Sequence, residues 1–351
     1  MVRVREWIRR AVGVALLSAS LAAAASLRLP LEAGQGASAA PEPTTATTST
    51  TSTRSAISTP PRTPWGDPDL QGTWTNTTTT PLERLPEAAG KDVLSDDERA
   101  QVARQVFERI DQDKPRPGTV VPYNEFWYER GTLNNRTSLI VDPADGKLPA
   151  FTAAGQRRFD AVQALRREGR ADSWLDRGAY DRCITRGIPG MMMPGFYNHN
   201  YQIFQSPGYV AILVEMIHDA RIVPLDGRPR LPSSVRQWRG DSRGRWEGTT
   251  LVVETTNVND AVFERGAAYG FGAGVTMTER FTRLGPTALD YRFTIEDPAT
   301  FTAPWTVSAP MEATSGPLYE YACHEGNYAM HGILAGARAA ERAASAGSAG
   351  R

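Results

Sequence analysis

Only two cysteines and four histidines occur in 351 residues, and neither charge is in excess, 39 Lys and Arg standing against 39 Asp and Glu. Each scarcity removes a class of function. A balanced charge offers no basic stripe for nucleic acid and no polybasic face for an anionic membrane. A c-type haem needs C-x-x-C-H, and a single cysteine precedes His324. His199, His218, His324 and His331 would suffice in number for a tris-imidazole zinc site, but their spacing does not suggest one. Missing too are a G-x-G-x-x-G after a strand, a P-loop, H-E-x-x-H and a calcium loop, so no cofactor and no metal is expected.

What is present begins with a leader. Arg3, Arg5, Arg9 and Arg10 precede an apolar run over residues 11–27, and Ala37-Ser38-Ala39 fits a small-residue cleavage site. Positive, apolar, then small is the order of a secretory signal peptide, and the run is short for a membrane span. Residues 1–39 are therefore expected to be removed, and the mature protein to be periplasmic or secreted, with no transmembrane segment. Taking five arginines and two carboxylates from the 39 of each sign leaves 34 basic against 37 acidic residues. Residues 40–63 are rich in Thr, Ser and Pro and cannot bury a core, so they read as a disordered linker. Residues 64–334 then form a single β-rich domain, followed by an Ala-rich flexible tail over 335–351.

Two helices are expected early in that domain. Ser95-Asp96-Asp97-Glu98 is a capping box opening a helix with Val102, Val106 and Ile110 on one face. Thr152 starts a second, with Phe159, Val162 and Leu165 aligned. From Tyr201 onward the pattern alternates. YQIFQ, YVAILVEMIHDARIV, TLVVETTNV, VTMTERFTRL, LDYRFTIED, PWTVSAPM and LYEYACH are separated by Gly, Pro and Asp turns. With QGTWTN this makes about eight strands, the number at which a closed antiparallel barrel holds side chains or one small ligand. The fold class is mainly β, a barrel with two N-terminal helices outside it, and a β-sandwich is the alternative.

Gly72-Thr73-Trp74 resembles the G-x-W that opens lipocalin-type barrels, which implies a tryptophan packed across the barrel floor. The runs RCITRGIPG, EMIHDARIVPLDGRP, GDSRGRWEG and YEYACHEGNY are similar to a widespread family of exported bacterial proteins. That resemblance covers most of residues 64–337. It implies export and assigns no activity.

Candidate chemistry follows from the strand faces. Two thiols in an oxidising compartment most often pair, so Cys183 and Cys323 are expected as a disulfide. Alternation along YVAILVEMIHDARIV puts Val210, Ile212, Val214, Met216 and His218 inward, with Glu215, Asp219 and Arg221 on the opposite face. Glu279 falls between the inward Met277 and Phe281, where a lone carboxylate is costly unless it is paired or protonated. Arg221 or Arg280 could pair with it. Tyr291 shares an inward face with Asp297, as does Tyr321 with Cys323 and Glu325, while His324 points to solvent or a rim. Gly240–Gly244 matches G-x-S-x-G, but a strand follows in place of the helix of a nucleophile elbow, so Ser242 is not a nucleophile. The loop over residues 182–202 carries Arg186, three consecutive Met and Tyr197, and could cap the barrel mouth over a ligand.

These placements lead to one expectation and one alternative. The first is cofactor-free acid/base chemistry on a hydrophobic small molecule, as isomerase, hydratase or hydrolase. His218 is then the base, Glu279, Asp297 or Glu325 the acid or orienting group, and Arg186 the anion stabiliser. Tyr197, Met216, Tyr291, Tyr321 and His324 line the ligand. The alternative is a non-catalytic carrier of such a ligand, in which the inward polar groups are merely paired.

Overall fold

The structure, a computed structural model, describes residues 60–349 apart from 112, 115–123, 170, 196 and 261–273. The expected signal peptide, and the linker as far as residue 59, lie outside the described residues. Among the described residues eleven strands are present: β1 (Gly72–Thr75), β2 (Ile140–Asp142), β3 (Asn200–Ser206), β4 (Tyr209–Val214), β5 (Ala220–Pro224), β6 (Asp241–Glu247), β7 (Thr250–Thr256), β8 (Thr276–Arg283), β9 (Ala288–Glu296), β10 (Trp305–Ser308) and β11 (Met311–Ala313). Nine follow the order β5-β4-β3-β1-β11-β9-β8-β7-β6, with β10 joined to β9 and to β2. Every pairing is antiparallel. The sheet is a nearly closed barrel, of nine strands rather than the expected eight or so.

The two ends of that path, β5 and β6, approach without a ladder between them. Gly244 of β6 makes the approach possible, since a Cβ there would stand 2.6 Å from Leu225 and 2.8 Å from Val223. Inside, the period-2 alternation does what it should. β8 buries Met277, Glu279 and Phe281, and β9 buries Leu289, Tyr291, Phe293 and Ile295. Ring centroids of Phe281 and Tyr291 lie 4.7 Å apart, and those of Phe293 and Trp305 6.0 Å apart. Each such side chain removed from water contributes about 1.5–3 kcal/mol. Trp74 is 1% exposed; its Nε1 donates to the Leu70 carbonyl, and the Arg283 guanidinium lies 5.3 Å over its ring. Arg283 also donates to the carbonyls of Asp69, Gly285 and Pro286, which stitches the floor shut.

Helix α1 (Asp96–Ile110) opens with the expected capping box, the Ser95 hydroxyl accepting from Glu98 N while the Glu98 carboxylate accepts from Ser95 N. Helix α2 (Ala153–Glu168) is anchored by Phe159 stacked on Phe151, which stacks in turn on Phe301. The tail expected to fray from residue 335 is instead the body of α3 (Ala329–Ala349), because alanine has the highest helix propensity of any residue. Among the described residues no helix is long and apolar enough to cross a membrane.

Two strand expectations are corrected. YVAILVEMIHDARIV is no single strand but the hairpin β4–β5, turned by a short 3-10 segment in which Ile217 and His218 take φ of 59° and 46°. The turn reverses which face each later residue presents. Arg221 therefore points inward and His218 is exposed, the opposite of their expected faces. LYEYACH forms no strand. The Cys183–Cys323 disulfide and bonds to Glu215 and His218 hold it at the β4–β5 turn. GDSRG is no nucleophile elbow, as expected, since Ser242 lies within β6.

Candidate functional site

The barrel end opposite Trp74 is covered by two irregular segments, residues 177–199 and 317–328. Cys183 and Cys323 join them, with Cα atoms 5.6 Å apart. From the first segment Ile188, Met191 and Met192 pack into the hydrophobic core, and Asn76 Nδ2 donates to the Met192 carbonyl. Thr185 Oγ1 donates to Asp219 Oδ2 at 2.7 Å, holding the same segment to the β4–β5 turn. From the second, Tyr319 N donates to Glu215 Oε1 at 3.0 Å, and the Tyr321 carbonyl meets His218 Nδ1 at 2.9 Å. The methionines thus plug the mouth, and the usable space lies above them.

That space is an open cleft of about 410 Å3 beside the disulfide. Tyr180 and Tyr321 give it aromatic walls, while Asp181, Glu320 and Glu325 give it three carboxylates. Asn198 and Asn327 complete its polar lining, and among the described residues no cationic side chain lines it. Burial, and then the neighbouring Tyr321, hold the Tyr180 phenol above its ordinary value, with hydrogen bonds to Tyr321 and Tyr197. The Tyr180 hydroxyl also reaches Met216 Sδ at 3.7 Å. Among the described residues no three acidic, histidine or cysteine side chains could together hold a metal ion, so these carboxylates are too dispersed for one.

Behind Tyr180 stands Arg186, its guanidinium 5.3 Å from the ring centroid. Arg186 Nη1 donates to His199 Nε2 at 2.5 Å. A guanidinium can only donate, so the imidazole carries its proton on Nδ1. Burial first, and Arg186 second, push His199 down to about 3, which keeps it neutral. Glu129 lies near Glu215, and desolvation followed by that carboxylate raises it above the ordinary value.

The expected residues divide accordingly. Arg186, Tyr197, Met216 and Tyr321 gather around Tyr180, while Tyr291 is inside the barrel and the exposed His324 adjoins the disulfide. The expected catalytic set does not converge. His218 is exposed on the rim with its ring turned to a backbone carbonyl. Glu325 is exposed on the rim loop, because no strand carries it inward. Asp297 is buried where β9 ends, its carbonyl accepting from Thr300 and Phe301 amides. Glu279, wholly buried within the barrel, accepts from Arg221 Nη1 and from the Tyr291 hydroxyl, both at 2.9 Å. Arg186, expected to reach a ligand anion, is turned instead to His199 and the Tyr180 ring.

Tyr180, Asp181, Asn198 and His199 were not singled out by alternation, because none lies on a regular strand. For Tyr180 and Asp181 the signal that could have found them is proximity in sequence to Cys183. Comparison with protein-family models, with curated proteins and with solved structures finds no match to this chain.

Proposed function

We propose that this is an exported β-barrel that binds, without converting, a small amphipathic organic cation in the cleft beside Cys183 and Cys323. One observation carries the reading: among the described residues, two tyrosine rings and three carboxylates line the cleft with no basic residue beside them. An ammonium group gains from aromatic faces and from carboxylates together, and the ring edges accept an apolar body. The acid/base reading has less geometry to support it, because its base is exposed and its inward carboxylate is engaged by Arg221 and Tyr291.

Native mass spectrometry on protein taken from its own envelope tests this, followed by titration with benzyltrimethylammonium. An adduct carrying a cationic nitrogen and leaving on denaturation is the expected result. The double variant Glu320→Gln/Glu325→Gln should then bind about fivefold more weakly, as two solvent-exposed ion pairs allow. Tyr321→Ala should weaken binding at every salt concentration. Unchanged affinity in both variants rejects the cleft, and chemical turnover of the adduct returns the catalytic reading.

A further inference from the structure

A second cleft, of about 430 Å3, lies on the outer wall of the barrel. Its floor is β9, β10 and β11, through Asp290, Arg292, Ser308 and Met311, and its rim is formed by residues 75–78 and 132–136. That volume falls within the roughly 300–1,000 Å3 typical of small-molecule sites. Its chemistry differs from that of the tyrosine cleft, for it has no aromatic side chain and is walled by hydroxyls, side-chain amides, two arginines and the carboxylates of Asp290 and Glu312.

The arginines are not equivalent. Arg292 is spoken for, its Nε lying 3.1 Å from Asp290 Oδ2. Arg136 is not. Its backbone is fixed twice, by a bridge to Val93 and by its amide donating to Asn134 Oδ1 at 2.8 Å. Its side chain makes no ion pair among the described residues, and its Nε is buried with no partner. A guanidinium that lines a cleft and has no carboxylate partner gains by pairing with one on a guest. Asn134 has its oxygen committed to Arg136 N, which leaves its Nδ2 donors for the same guest.

We infer that this cleft is a second binding site, for a small organic acid whose carboxylate pairs with Arg136. A carboxylate matches the planar fork of the guanidinium with two parallel hydrogen bonds. The neighbouring Asn134 amide and Thr77 hydroxyl then serve the oxygens of the acid's remaining body. Asp290 is paired with Arg292, and Glu312, the other carboxylate of the lining, favours an acid whose body carries a hydroxyl that can donate to it.

Isothermal titration of the mature chain with lactate, succinate, citrate and inorganic phosphate tests the assignment. At least one carboxylate should bind wild type at millimolar concentration or below. Arg136→Gln should weaken it at least about tenfold, the loss of a charge-assisted contact. Arg136→Lys should recover only part, since an ammonium lacks the fork. Should Arg136→Gln fold poorly, Asn134→Asp keeps the oxygen that fixes Arg136 N while adding a negative charge, and it too should weaken binding. Absence of heat with all four probes overturns the site. So does equal affinity in wild type and either variant, and a preference for phosphate overturns the organic-acid assignment. Because benzyltrimethylammonium binding belongs to the other cleft, it should not change in Arg136→Gln, which separates this inference from the proposed function.

Discussion

His199 is the residue on which the covered end of the barrel closes, and its environment admits one protonation state. It is fully buried, Arg186 donates to its Nε2, and Gly195 packs so closely that a Cβ there would stand 1.8 Å from that nitrogen. A proton on Nε2 would face a guanidinium with no water to screen it. The consequence for stability has a definite sign. In the unfolded chain the imidazole titrates near 6.5, and in the folded protein near 3. Between those values the unfolded chain takes up a proton that the folded protein refuses, so stability falls as pH falls through that window. The slope approaches about 1.4 kcal/mol per pH unit for this one group, and above 6.5 it vanishes. Urea unfolding at pH 7, 6 and 5 should show a steeper decline in wild type than in His199→Gln, whose amide oxygen still accepts from Arg186. Parallel declines in the two proteins would show that the imidazole already protonates when folded.

Among the elements, the two rim segments depend most on a single bond. The Cys183–Cys323 link spans 140 residues of sequence. A loop of that length loses about 5 kcal/mol of unfolded-state entropy when closed, by the chain-entropy estimate. The barrel strands pair independently of it, so Cys183→Ser/Cys323→Ser should keep its far-ultraviolet circular dichroism while losing thermal stability and the tyrosine cleft's ligand. Retained affinity in that variant would separate the cleft from the disulfide. The same elements explain what the sequence makes legible. Hydrophobic alternation locates β8 and β9 to the correct face at every inward position, Glu279 included, because both strands are long and buried on one side. It fails at the β4–β5 turn, where Ile217 and His218 adopt positive φ without the Gly, Asn or Pro that would announce a reversal. It fails again over residues 318–324, whose alternation is genuine but whose disulfide removes them from any strand partner. The tyrosine cleft was half legible for this reason. Tyr321, Glu325 and the two cysteines are recognisable as residue types, whereas the loop geometry that brings Tyr180, Asp181 and Asn198 beside them leaves no periodic trace.

At the scale of the whole molecule, the question is what closes a sheet whose end strands share no ladder. The answer lies inside the barrel. From β5, Arg221 donates through Nη2 to Ser242 of β6 at 3.3 Å and to Thr255 of β7 at 3.2 Å, and pairs with Glu279 of β8. Tyr291 of β9 completes the set, and burial followed by the Glu279 carboxylate holds its phenol far above the ordinary value, so it remains a donor. One side chain therefore ties β5 to three strands on the far side of the seam, where backbone hydrogen bonds would otherwise run. A buried ion pair seldom adds stability over apolar residues that fill the same volume, because desolvating both charges offsets their attraction. Breaking it is another matter, since the remaining charge is stranded. Glu279→Gln should cost about 3–5 kcal/mol in equilibrium unfolding, and Arg221→Met a comparable amount. The pair Arg221→Met/Glu279→Leu should recover most of that loss, leaving a large coupling energy in the double-mutant cycle. If the clasp only filled space, amide exchange in β5 and β6 of the double variant would match wild type. If it closes the seam, those edge amides should exchange faster there even though global stability has returned.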